Sequence, residues 1–278
     1  MKSFFSIISL LFLSVAAMSA TCFADENRDN NPLPYASPFQ LKTSIDIPVI
    51  LASSTLALIP GLIGSQLPNG DGGVYNKRDI NKFDRSTVNF YSTKSALASD
   101  IIVGVLPLGA IGISLYSFSD SGRWQAVLED FVLLTETLAV TTASMQIIKH
   151  AFSRPRPYMY QDDPNDNKLK HTDDDISSFY SGHSAIAFAT AVSMSYMFQQ
   201  RHKKSKAVIP IWIASLCGAT SVALLRVFAG KHFFTDVITG SIIGASTGIL
   251  IPALHKVTPK TELTILSGPS NLTLLVNF

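Results

Sequence analysis

The feature that most constrains this chain is a set of long stretches that carry no charge. Residues 47–67, 101–118, 185–198, 207–225 and 237–254 contain no Asp, Glu, Lys or Arg, and 124–148 is apolar at helical spacing but includes Glu129, Asp130 and Glu136. Most of these stretches come near the length of about twenty residues that a helix needs to cross a bilayer. A helix on the surface of a water-soluble domain shows a polar stripe; residues 101–118 and 207–225 show almost none. Gly, Ser and Thr are spread through them, and small residues let membrane helices approach closely. The pattern predicts an all-α fold, a transmembrane six-helix bundle. The competing reading is a soluble all-α domain with unusually apolar helices.

The positive charges give an orientation. Arg201, His202, Lys203, Lys204 and Lys206 crowd the turn between the fourth and fifth apolar segments, which places that turn in the cytoplasm. The loops at the other ends of those helices then face the opposite side. His255, Lys256 and Lys260, after the last helix, agree with a cytoplasmic end. The N-terminus has the form of an export signal: Lys2, an apolar run over residues 4–17, and small residues at Ser19, Ala20 and Ala24. Residues 1–24 are therefore a cleaved signal peptide or a retained anchor. Six crossings that end inside require the first to begin inside, whereas cleavage would leave Asp25 outside. Residues 47–67, with Pro48, Pro60 and Gly61, are the candidate for a segment that does not span.

A formal charge of +2 with a single short basic cluster does not suit a nucleic-acid binder. Cys22 and Cys217 lie far apart in apolar surroundings and suggest neither a zinc site nor a disulfide, and Cys217 reads as a small buried residue. The tail alternates around Ser267-Gly268-Pro269-Ser270, which predicts a short C-terminal β-hairpin.

Chemistry concentrates in three stretches near the ends of the apolar segments. Lys149 and Arg156 are separated by six residues, and Pro155 and Pro157 stop the third helix there. Arg offers a planar fork to phosphate oxygens and Lys a compact charge; taken alone, such a pair is more often an interfacial one. Ser181-Gly182-His183 opens the fourth helix, where free N–H groups favour an anion and His183 can deliver a proton. By itself that triplet is a helix cap. Arg226, His232 and Asp236 form the third stretch. His232 and Asp236 share a face if the sixth helix has begun there, and an Asp beside a His would orient it as a nucleophile. An interfacial His–Asp pair is the alternative.

Together the three stretches resemble the signature of the type 2 phosphatidic acid phosphatase superfamily, a fold that includes membrane lipid phosphatases, bacterial acid phosphatases and haloperoxidases. That signature runs Lys-x6-Arg-Pro, Pro-Ser-Gly-His, then Ser-Arg-x5-His-x3-Asp. Tyr180 stands in place of the Pro of the second part, and Leu225 in place of the Ser of the third. The resemblance implies that His232 attacks phosphorus, that Asp236 orients it and that His183 protonates the leaving group. It implies that Lys149, Arg156, Ser181, Gly182 and Arg226 hold the phosphoryl oxygens, and that no cofactor and no metal is needed. The acid cluster Asp162, Asp163, Asp166, Asp173, Asp174 and Asp175 is irregularly spaced and reads as a solvated loop. The implied activity is hydrolysis of lipid phosphate monoesters or pyrophosphates at the periplasmic face of a bacterial inner membrane. A soluble periplasmic acid phosphatase is the alternative. The implied partners are a lipid phosphate and the membrane, with no nucleic acid and no obligate protein partner. The resulting division is 1–24 signal or anchor, 25–98 lead-in, first apolar segment and loop, 99–254 phosphatase helical core, and 255–278 tail.

Overall fold

A computed structural model describes residues 37–63, 75–121, 124–161, 174–257, 262–267 and 272–277. The residues expected to form the export signal, the start of the loop expected at 68–94 and most of the acid cluster lie outside the described residues. Among the described residues there are six α-helices: α1 (Thr43–Ile63), α2 (Thr93–Ser121), α3 (Trp124–Ala151), α4 (Gly182–Arg201), α5 (Val208–Phe228) and α6 (Phe234–Leu254). The fold class is all-α, as the sequence predicts. Glu262–Ser267 and Leu272–Asn277 are drawn as an antiparallel pair, but the expected hairpin is not supported as an element of the fold.

Among the described residues four helices are long and apolar enough to cross a membrane: α2 over Thr93–Tyr116, α3, α5 and α6. α1 and α4 are not among them: in α1 the described apolar run is Thr43–Leu58. α4 is built largely from Ala, Ser, Thr and Gly, and nearly all of it is buried by the helices around it. Its sequence needs only to be small, because it meets protein on every side.

The bundle is apolar outside, and inside it charged groups are buried beside an apolar core. Only 17% of the apolar window of α2, and 17% of that of α5, is buried. Ile101, Val105, Leu108, Ile209, Ile213 and Ile242 point outward. Cys217, expected to be buried, is exposed on α5, because that face of α5 turns away from the bundle. The charges on α3 are turned inward instead. Arg201 at the end of α4 lies 2.9 Å from both Glu129 and Asp130, and also donates to Ser37. Arg201 is thus buried within an ion-pair network, and the exposed cations of that turn are Lys203, Lys204 and Lys206.

α4 and α6 are pressed together along a seam of glycines. A Cβ on Gly240, Gly244 or Gly248 would come within 2.5, 2.1 and 2.9 Å of the carbonyl oxygens of Ser181, Ala185 and Ala189. The four-residue spacing puts all three glycines on one stripe, the arrangement that lets two helix backbones meet. The seam ends where Ser181 N–H donates to the Asp236 carbonyl at 3.1 Å. It therefore fixes the second and third chemical stretches side by side.

Candidate active site

His232 sits in the turn between α5 and α6 and is 1% exposed. The turn is tight: Gly230 has φ +67°, a conformation that costs other residues energy, and a Cβ there would lie 2.3 Å from the Phe90 carbonyl oxygen. His232 Nδ1 lies 2.8 Å from the Ser178 carbonyl oxygen. A carbonyl can only accept, so Nδ1 carries the proton and Nε2 presents a lone pair. Burial, then the charges of Arg156, Arg226 and Lys149, hold the imidazole well below the usual histidine range. At neutral pH the ring is uncharged and nucleophilic.

Asp236 is not the direct partner of that ring. Its nearest carboxylate oxygen is 3.8 Å from His232 Nδ1. The face-sharing expectation assumed that the helix had begun by residue 232, but α6 starts at Phe234. Asp236 instead caps the helix, accepting from Phe233 N at 2.9 Å, and accepts from Ser178 Oγ at 2.5 Å. Its influence on His232 passes through Ser178, which bonds Asp236 with its hydroxyl and His232 with its carbonyl.

Two residues that the sequence reading passed over support this arrangement. Arg154 donates to Asp236, to Thr235 Oγ1 at 2.8 Å and to Asp84 Oδ2 at 2.8 Å, and stacks 4.1 Å over the Phe233 ring. Asp84 comes from the loop before α2. Burial acts to raise its carboxyl, but hydrogen bonds from Thr235, Arg154 and Asn81 outweigh that and hold it below the usual carboxylate range. Arg154 is the first Arg of an Arg-Pro-Arg-Pro run, and its nearness to Arg156 was the available signal.

The cations converge from α3, the loop that follows it and α5. Lys149 Nζ donates to the Ser177 carbonyl at 3.0 Å. Arg156 is fully buried and donates to the Asp174 carbonyl (2.6 Å), Asp174 Oδ1 (2.7 Å) and the Lys231 carbonyl (3.1 Å). Arg226 Nη1 donates to Ser99 Oγ at 3.3 Å and Asp100 Oδ1 at 3.2 Å, while its buried Nε has no partner among the described residues. Lys231, beside His232, is a further cation; its ammonium stands 4.9 Å from the Tyr158 ring centroid.

At the start of α4, Ser181 is the N-cap; its Oγ accepts from Ser184 N at 3.4 Å and Ser184 Oγ at 3.0 Å. The space that Gly182 leaves is taken by Met145 Sδ, 2.1 Å from where a Cβ would stand. What the glycine admits there is therefore the side of α3. His183 Nε2 is 2.8 Å from Asp100 Oδ1, and Asp100 is 55% exposed. Asp100 thus joins His183 to Arg226, a link that sequence spacing could not show. Tyr180 does not line a cleft: it is fully buried, its Oη is 2.9 Å from Ser144 Oγ, and it packs with Met145 and Ala185.

The structure therefore brings all eight sequence-predicted residues to one end of the bundle. A neutral buried imidazole, three cations, a helix N-terminus and a second histidine together can bind an oxyanion and exchange a proton with it.

Residues 130–259 match the family model for the PAP2 superfamily. No curated protein matches the chain. Among solved structures, the chain is similar to the transmembrane PAP2-type phosphatidylglycerolphosphate phosphatase from Bacillus subtilis, with 18% identity and a TM-score of 0.41 over 75% of this chain and 94% of that one.

Proposed function

From the membership of residues 130–259 in the PAP2 superfamily, we propose that this protein is a membrane phosphatase that hydrolyses lipid phosphates through a phosphohistidine. The observation that carries the mechanism is the His232 ring: Nδ1–H is fixed on a backbone carbonyl, and the charges of Arg156, Arg226 and Lys149 are felt at the ring.

In this reading the His232 Nε2 lone pair attacks phosphorus and the bond to the leaving oxygen breaks. The proton for that oxygen arrives on the phosphate monoanion and passes through His183, whose ring is kept neutral at rest by burial. A water then attacks the phosphohistidine; His183, now neutral, takes the water's proton, and His232 and inorganic phosphate are released. Lys149, Arg156 and Arg226 balance the phosphoryl charge, with Ser181 and the N-terminal turn of α4 around Gly182 as donors. Arg226 Nε, buried without a partner, is a free donor for one oxygen. Asp100 is a positioning residue: it holds His183, and it occupies Arg226 until a phosphate displaces it. Asp236 and Arg154 hold Ser178, and through it the His232 ring. No metal enters any step.

The substrate class is a lipid phosphate monoester or pyrophosphate, of the phosphatidic acid, phosphatidylglycerol phosphate, undecaprenyl pyrophosphate or lipid A type. The apolar outer faces of α2 and α5 favour this over soluble esters. With Lys203, Lys204 and Lys206 at the far end of the bundle, the site faces the periplasmic side of an inner membrane.

The test is phosphate release from lipid and soluble phosphates, with acid-lability and mass analysis of trapped enzyme. His232→Ala is expected to lose about a thousandfold or more in kcat and all of the phosphoryl adduct. Full activity in His232→Ala would sink the mechanism.

A further inference from the structure

Three side chains far from His232 form a compact, buried donor set. Asp46 lies in the first turn of α1, Glu136 in the middle of α3, and His255 directly after α6. His255 Nε2 is 3.0 Å from Asp46 Oδ1 and 3.5 Å from Glu136 Oε2, and the three ligand atoms all lie within 4.8 Å of one another. Asp46 and Glu136 are 2% and 3% exposed. Asp236 and His255 stand at opposite ends of α6, so a rise of 1.5 Å per residue puts the cluster about 28 Å from the phosphate site.

Two observations point to an occupant. Glu136 Oε2 is buried, faces His255 and has no hydrogen-bond donor among the described residues. Leaving a buried carboxylate oxygen without a hydrogen-bond donor is costly. Independently, His255 Nδ1 is 2.8 Å from the Ile251 carbonyl oxygen, so Nδ1 carries a hydrogen and Nε2 is the atom turned toward the carboxylates. Anchoring one ring nitrogen on a carbonyl is how proteins orient an imidazole for a metal. A proton on Nε2 serves Asp46 at 3.0 Å and gives Glu136 an ion pair at 3.5 Å but no hydrogen bond. A divalent cation serves both and balances two carboxylates beside a neutral imidazole. Two donors held at about 2.1 Å from one ion at tetrahedral angles stand about 3.4 Å apart, close to the observed 3.0 and 3.5 Å.

We infer that Asp46, Glu136 and His255 bind a divalent first-row cation of the Zn2+ or Mn2+ class, as a mixed imidazole–carboxylate set prefers. The ion's work is structural. The chain before α1 already lies against the end of α6, with Gln40 N donating to the His255 carbonyl at 2.8 Å and Val257 N to the Pro38 carbonyl at 3.0 Å. The cation extends that clasp into the bundle, joining α1 and α6 to α3. His255, partly exposed, gives the ion its way in from the end of the bundle.

The test uses the full-length protein in detergent, stripped with EDTA and then titrated with Zn2+ or Mn2+ by calorimetry while thermal unfolding is followed. One ion per chain is expected to bind and to raise Tm by mass action. Glu136→Gln and His255→Gln are each expected to weaken binding by roughly a hundredfold while still unfolding cooperatively. No binding by the wild type, or unchanged affinity in both variants, overturns the inference. Should a variant fail to fold, Zn absorption spectroscopy on the wild type decides the matter. One imidazole nitrogen with oxygen donors supports the site, and a shell without imidazole overturns it.

Discussion

At the scale of single residues, the site depends on Ser178, which stands between the proposed nucleophile and its carboxylate. A direct His–Asp contact would hold the ring in place and also favour its protonated form. Here Asp236 orients the ring through a neutral serine, while burial and then Arg156, Arg226 and Lys149 keep it unprotonated. The sign follows directly. A lowered histidine pKa means that the nucleophile stays available as pH falls past about 6.5, the ordinary value, and is lost only at the lower folded-state value. The acidic limb of kcat/KM is therefore expected below pH 6, measured on a substrate whose own ionisation is corrected for; a limb at or above about 6.5 would contradict it. In the same experiment Asp100→Asn should lower kcat/KM by about tenfold or more and leave the acidic limb in place, because Asp100 contacts His183 and Arg226, not His232. The convergence of the eight candidate residues was legible in the sequence, since three short spacings each bring charge or histidine to a helix end. Their partners were not. Ser178, Arg154, Asp84 and Asp100 act through contacts between segments that lie 54 to 126 positions apart, and no local spacing records such pairings.

Elements were legible to the extent that charge marks their ends. All six helices lie where the apolar stretches predict, but α2 begins at Thr93, earlier than its uncharged core at residue 101, and so carries Asp100 into the site. Glu129, Asp130 and Glu136 looked out of place on an apolar helix; they are the inward face of α3. The α4–α6 seam could be read only as a tendency, since spaced glycines show that two helices can touch but not which ones. With both backbones known, its consequence can be stated. Gly244 faces the Ala185 carbonyl oxygen, which would stand 2.1 Å from a new Cβ, and backbone cannot yield as a side chain does. Gly244→Val should therefore spread α4 from α6, destabilise the protein by about 2 kcal/mol or more, and depress activity through the separation of His183 from His232. Thermal unfolding in detergent, with kcat alongside, measures both. Cys217→Val, on the outer face of α5, is the matched control expected to change neither.

For the whole molecule, the inversion of polarity is the main fact. Leu108, Ile209, Leu250 and Leu254 are all more than half exposed, while Glu129, Asp130, Arg156 and Arg226 are buried. An apolar outer surface of that extent belongs in lipid. The protein is expected to stay in the membrane fraction through alkaline carbonate washing and to require detergent for release; recovery in the soluble fraction would favour the small-ester phosphatase instead. The Arg154 bridge has a different kind of consequence, for how such a chain can be divided and inherited. The family's matched stretch starts at residue 130, yet Asp84 supplies half of Arg154's counter-charge and Asp100 links His183 to Arg226. Residues 130–259 are thus not a portable module. Transplanted behind another protein's first helices, they would carry the complete signature and still lack two of the carboxylates that hold its parts in register.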